Sequence, residues 1–293
     1  MKYIDYILEI LNTSLECNRL LCRTLRSFFR KILTYDTLNL IILINIINHV
    51  SGDTMVANIL VAHGMRQGDQ NEALTGFVAQ LLEHESYPYD LAFIESEEKS
   101  ISRIMTHYLN QGETEFKIVP LLIFSAMHYL VDIPEILAQI KEQHPNINYL
   151  LSQPLGTHAL MQEIIQQRIE QVHIDKDDKG KVAVVLIAHG SRSYTQAHDE
   201  LETFNHQLAT DYSVFSRTLY GDISFKNDLD KLAKRFSKLI IVPMFLYDGR
   251  LVNKVKKLIA QMDIQSELLI TPSLNFDPLL KDIISARLEE LSF

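Results

Sequence analysis

The phrase VANILVAHGMR, Val56–Arg66, returns as VAVVLIAHGSR, Val182–Arg192. A duplication of this kind constrains the fold more than any other feature of the chain. In each copy an apolar run of strand length, without polar alternation, predicts a strand covered on both faces, as in a parallel sheet. The glycine that follows lets the backbone leave the strand sharply. Each histidine, His63 and His189, therefore stands at the carboxyl edge of a parallel sheet, where open α/β folds bind their ligands.

The segments after each phrase alternate strand and helix. In the first copy helices are predicted at about 71–85, 100–109, 132–142 and 160–172, with strands at 89–95, 116–123 and 149–152. Asp132 reads as a helix N-cap, with Pro134 in the first turn. The second copy repeats the order, with Pro243 matching Pro120 and Arg287 following Asn275 as Arg168 follows Gly156. The fold class is α/β: two similar lobes with parallel sheets built from an internal repeat, plus an N-terminal helical extension. The expected division is residues 1–54 as extension, 55–173 as the lobe carrying the site, 174–181 as linker and 182–293 as the second lobe. The linker, IDKDDKGK, is charged and contains a glycine.

Laying one half over the other separates scaffold from chemistry. The first half has His63, Glu95 and His128, each at or just beyond a predicted strand end. Counting residues, the second half keeps His189 but has Gly221 at the Glu95 position and Leu251 at the His128 position. Two imidazoles and a carboxylate suit a borderline divalent ion and proton abstraction near neutral pH. His189, lacking those partners, is expected to matter less. Arg66, Arg192, Arg250 and Lys254 are positioned by the pattern around the cleft mouth, and Leu121, Ile123, Phe124, Met244, Phe245 and Leu246 can supply apolar walls. No GxGxxG, P-loop, GxSxG or HExxH is present, so nucleotide-dependent and serine-hydrolase chemistry has no motif.

Composition narrows the partners. The net charge of −9 and the absence of a long basic block give nucleic-acid binding no support. Cys17 and Cys22 are the only cysteines, too few for a disulfide framework, and a reducing, cytoplasmic setting follows as the default. Leu38–Val50, the most apolar stretch, is shorter than the ~18 to 20 residues that span a bilayer, so no membrane partner is expected.

The AHGMR and AHGSR strand ends, FIE, PLLIFSAMHYLVDIP and PLGTHALMQEIIQQRI resemble the sirohydrochlorin chelatases of the CbiX and SirB type, over residues 56 to about 293. The resemblance implies a class II chelatase fold of two flavodoxin-like lobes and ATP-independent insertion of a divalent metal into a tetrapyrrole, in sirohaem or cobalamin synthesis. Fe²⁺ or Co²⁺ and sirohydrochlorin are then substrates, and no permanently bound cofactor is implied. By the same resemblance His63 and His128 are metal-binding and proton-accepting, Glu95 is the acidic site residue, and the arginines and Lys254 meet the substrate's carboxylates. Ala126 and Met127 depart from the family pattern of a glycine and a basic residue. The second lobe, with Leu251, is not a second active site. Iron is favoured because the sequence has no histidine-rich tract, with cobalt as the alternative and a non-catalytic tetrapyrrole or metal carrier as a reading of another class. The oligomeric state stays open, a monomer being among the options.

Overall fold

The structure is a computed structural model that describes residues 56–64, 70–85, 87–174 and 180–293. The expected extension over 1–54, Arg66 and most of the linker lie outside the described residues. Residues 56–293 form one compact unit.

The first lobe runs β1 Val56–Ala62, α1 Gln70–Leu81, β2 Asp90–Phe93, α2 Ile101–Asn110, β3 Glu115–Pro120, a π-turn His128–Asp132 leading into α3 Ile133–Gln143, β4 Asn148–Leu151 and α4 Leu160–Glu170. The second repeats it as β5 Val182–Ala188, α5 Gln196–Gln207, β6 Ser213–Thr218, α6 Leu229–Arg235, β7 Lys238–Pro243, α7 Arg250–Ala260, β8 Glu267–Ile270 and α8 Leu279–Glu289. All strand pairings are parallel, in the orders β2-β1-β3-β4 and β6-β5-β7-β8. The predicted elements hold to within a few residues at their ends. Among the described residues no helix is long and apolar enough to cross a membrane.

The two-residue alternation of a strand, with both faces covered, explains why β5 is apolar throughout and β1 is apolar but for Asn58 near its start. Leu60 and Ala62 of β1, with Val182, Val184, Leu186 and Ala188 of β5, point into one core shared by both lobes. Ala57, Ile59 and Val61 point the other way, into a core completed by α2 and α3, and Ala183, Val185 and Ile187 into one completed by α6 and α7. The shared core is filled by α1, α4, α5 and α8.

Each lobe's last helix crosses to its neighbour: α4 packs against β7, and α8 against β3. A buried arginine fastens each crossing. Arg168 of α4 donates to the Ser273 and Leu274 carbonyls at 3.1 and 2.9 Å and to Asp277 Oδ2 at 2.8 Å. Arg287 of α8 returns the contact, donating to the Pro154 carbonyl at 3.0 Å and Thr157 Oγ1 at 2.7 Å. The arginines sit at equivalent places in the repeat, so the exchange follows its pseudo-twofold relation. It makes the lobes one folding unit rather than two domains on a hinge.

Arg168→Ala strands Asp277, which is only 7% exposed, as an uncompensated buried charge, a change that costs about 3–5 kcal/mol. Calorimetry should show one transition for both lobes, lowered by several degrees. Separate transitions for the two lobes would contradict the shared core.

Candidate active site

The site begins with the turn at the end of β1. Gly64 has φ 69°, a left-handed conformation that costs a side-chain-bearing residue about 1–2 kcal/mol. A Cβ there would also lie 2.6 Å from the Cβ of fully buried Phe93. The turn carries the Gly64 carbonyl to 2.8 Å from His63 Nδ1. A carbonyl can only accept, so Nδ1 holds the proton, and in the neutral ring Nε2 keeps its lone pair. β5 ends identically: Gly190 has φ 71°, and His189 Nδ1 donates to its carbonyl at 2.7 Å. The recurring AHG is thus a device that fixes the histidine tautomer.

His128 reaches the same place from the β3 side. Its ring packs edge-on to that of His63, with centroids 4.3 Å apart and planes at 87°. His128 opens the π-turn, whose one-residue widening of the helix carries the ring and, four residues on, Asp132. Asp132 Oδ2 accepts from His128 Nδ1 at 2.6 Å. The expectation that Asp132 caps α3 is corrected: it is helical, with φ −62° and ψ −49°, and its side chain makes no capping bond. Its carboxylate instead orients an imidazole, an arrangement that fixes the tautomer and leaves Nε2 free of that bond. Sequence reasoning missed this role, although the His–x₃–Asp spacing at i, i+4 on a helix was its signal.

Glu95 follows β2, half-buried, with its backbone N–H donating to the His63 carbonyl at 3.0 Å. Among the described residues no three His, Cys, Asp or Glu side chains form a group able to hold a metal. What the described residues bring together here is an imidazole pair, His63 and His128.

The second lobe faces this pair. His189 is close enough to His128 and His63 for both rings to disfavour its protonation, and desolvation, the largest effect, acts the same way, so its imidazole lies below its ordinary range. It is a third histidine at the site rather than a remote counterpart. The repeat's register also corrects the residue count. Tyr220 N–H donates to the His189 carbonyl at 3.0 Å, the bond that Glu95 makes to His63. Tyr220, not Gly221, thus occupies the Glu95 position, because the second lobe is one residue shorter between β5 and β6.

Arg192 lies beside Tyr220 on a cavity of about 320 Å³. Arg250 is the exposed first residue of α7, and Lys254 Nζ donates to Tyr220 Oη at 2.8 Å. Of the expected apolar walls, Leu121, Phe124, Met244 and Phe245 are core, and Ile123 and Leu246 pack against it. The open apolar surface belongs to Met127, 52% exposed, and Leu130, 37% exposed, which flank His128.

The CbiX family profile matches residues 57–172 and 183–291. A sirohydrochlorin ferrochelatase of Priestia megaterium is 27% identical over 223 residues, 73% of this chain and 82% of that one. A sirohydrochlorin cobaltochelatase of the same organism is 23% identical over 255 residues, 82% and 81% of the two chains. In architecture the chain is similar to SirB from Bacillus subtilis with Fe³⁺, with a TM-score of 0.69 and 22% identity over 80% of this chain and 94% of that one. With both halves of the repeat inside the profile and the paired histidines at the edge of the first sheet, this chain belongs to the CbiX family of metal chelatases.

Proposed function

We propose that the protein inserts Fe²⁺ into sirohydrochlorin without ATP, giving sirohaem. The observation that carries this reading is the His63–His128 pair, with both Nδ1 atoms tied back so that two Nε2 lone pairs remain for external chemistry. Metal insertion needs a partly dehydrated cation held against one face of the macrocycle and two pyrrole N–H protons removed. His63 and His128 ligate the incoming ion and accept those protons. Glu95, whose strand end is bonded to that of His63, draws the protons away. Met127 and Leu130 offer the macrocycle an apolar seat, and Arg66, Arg192, Arg250 and Lys254 pair with its carboxylates. A pair of imidazole ligands suits a metal that must leave with the product. The cobaltochelatase relative supports a second reading, Co²⁺ insertion for cobalamin synthesis, because imidazole nitrogen serves both ions.

The test follows the visible spectrum of sirohydrochlorin anaerobically with Fe²⁺ or Co²⁺ and catalytic protein. Many turnovers identify the enzyme and its metal. A stoichiometric shift that stops identifies a carrier and refutes the proposal. His63→Ala or His128→Ala should lower insertion by about 100-fold or more with little change in thermal midpoint, whereas His189→Ala costs less than either. Asp132→Asn keeps the shape of the side chain but weakens its hold on the Nδ1 proton, with an expected loss of about 10- to 100-fold. Wild-type rates in the Asp132 variant would remove that residue from the mechanism.

A further inference from the structure

The two half-sites have the same backbone and opposite charge. Where the first lobe presents the Glu95 carboxylate, the second presents the Tyr220 phenol with the Lys254 ammonium on its oxygen at 2.8 Å and 4.9 Å from its ring centroid. Where the first has His128, the second has Leu251, and Lys254 lies one turn further along α7. A phenol oxygen that accepts from Lys254 still has its own O–H to donate, and an ammonium has three donors. Among the described residues no carboxylate pairs with Lys254, Arg192 or Lys226. Arg192 and Lys226 line the 320 Å³ cavity that Tyr220 borders, and the one carboxylate on its wall, Asp222, leaves the two cations in the majority there. Gly221, at φ 96°, turns the chain beneath it.

We infer that the second lobe's half-site is a carboxylate receptor, in which Tyr220 O–H and the Lys254 ammonium take one carboxylate of an acidic macrocycle and Arg192 and Lys226 take a neighbouring one. The inference rests on the chelatase reading for the identity of the macrocycle but not for the receptor itself. It gives the duplication a division of labour. The first lobe holds the cation and the protons, and the second orients the substrate by its acidic rim. Replacement of a carboxylate by a phenol–ammonium pair also removes the group that would compete for the metal. Charge-assisted hydrogen bonds of this kind are the strong ones.

The experiment measures binding of metal-free uroporphyrin, which has eight carboxylates, and coproporphyrin, which has four, by fluorescence quenching on the full chain. Wild type should favour uroporphyrin. Tyr220→Phe keeps the ring beside His189 and loses only the hydroxyl, and Lys254→Met keeps the stem and loses the charge. Each should weaken uroporphyrin binding about tenfold, as loss of one hydrogen bond to a charged group does, and narrow its preference over coproporphyrin. The double variant should be weaker by less than the product of the two, because the groups act as a pair. Unchanged affinity and preference in both folded variants would overturn the receptor even if wild type inserts metal. Receptor behaviour in a wild type that inserts no metal would leave the inference standing and the chelatase reading refuted. A wild type that binds neither porphyrin refutes the inference.

Discussion

Everything at this site depends on the exchange of helices α4 and α8. A parallel four-stranded sheet needs cover on both faces, and each lobe carries α2 and α3, or α6 and α7, for one face only. The other face is closed by joining the sheets across a common core and by lending each lobe's last helix to its neighbour. Arg168 and Arg287 fix the exchange because their hydrogen bonds end on backbone carbonyls in the loops after β8 and β4. Those loops adjoin the carboxyl edges of the sheets. A buried guanidinium tolerates little slack, since a lost partner leaves a charge in the core. The relative position of the strand ends, and with it the approach of His189 to His63 and His128, is set by the same contacts that stabilise the fold.

On that frame the two AHG turns are interchangeable and their surroundings are not. The backbone hydrogen bonds at β1–β2 and β5–β6 match residue for residue, with Glu95 and Tyr220 in the same slot. The glycines at φ 69° and 71° give both histidines the same tautomer. AHG therefore prepares an imidazole without saying what it does. In the first lobe a π-turn and Asp132 bring a second imidazole to 4.3 Å. In the second, α7 starts as a regular helix, Leu251 packs against the core beneath α6 and α7, and Lys254 answers to Tyr220.

Much of this was legible in the sequence, for physical reasons that also explain the rest. Strands buried on both faces have long apolar runs, so β1 and β5 declare themselves, and the repeat marks His63, His189 and the matched arginines. Counting residues mistook Gly221 for the partner of Glu95, because a single deletion between paired strands is invisible until hydrogen bonds define the register. Asp132 looks like a cap in the sequence because an acidic residue before Ile-Pro is a strong start signal. The π-turn overrides it by running the helix straight through. The strand-end runs that promise apolar walls are needed instead to close the cores, Leu121, Phe124 and Met244 in the shared one and Phe245 in that of the second lobe. Exchange of α4 and α8 left no mark on periodicity, since a helix has the same amphipathic pattern whichever sheet it covers.

The proposed function makes the metal a substrate rather than a cofactor, and an imidazole pair suits that role. A closed three- or four-ligand cage binds tightly because it replaces most of the ion's hydration shell, and a cage of that strength would compete with the macrocycle for its own product. Two imidazoles leave most positions to water and then to pyrrole nitrogens, so the affinity gradient runs toward the tetrapyrrole. Each imidazole that lets go of the metal regains a lone pair able to take a proton, and His128 has Asp132 beside it to stabilise the imidazolium so formed. In the proposed mechanism, fixing the tautomer at Nδ1 serves both halves of the reaction, because the same Nε2 atom would first hold the cation and then accept a proton that the cation displaces.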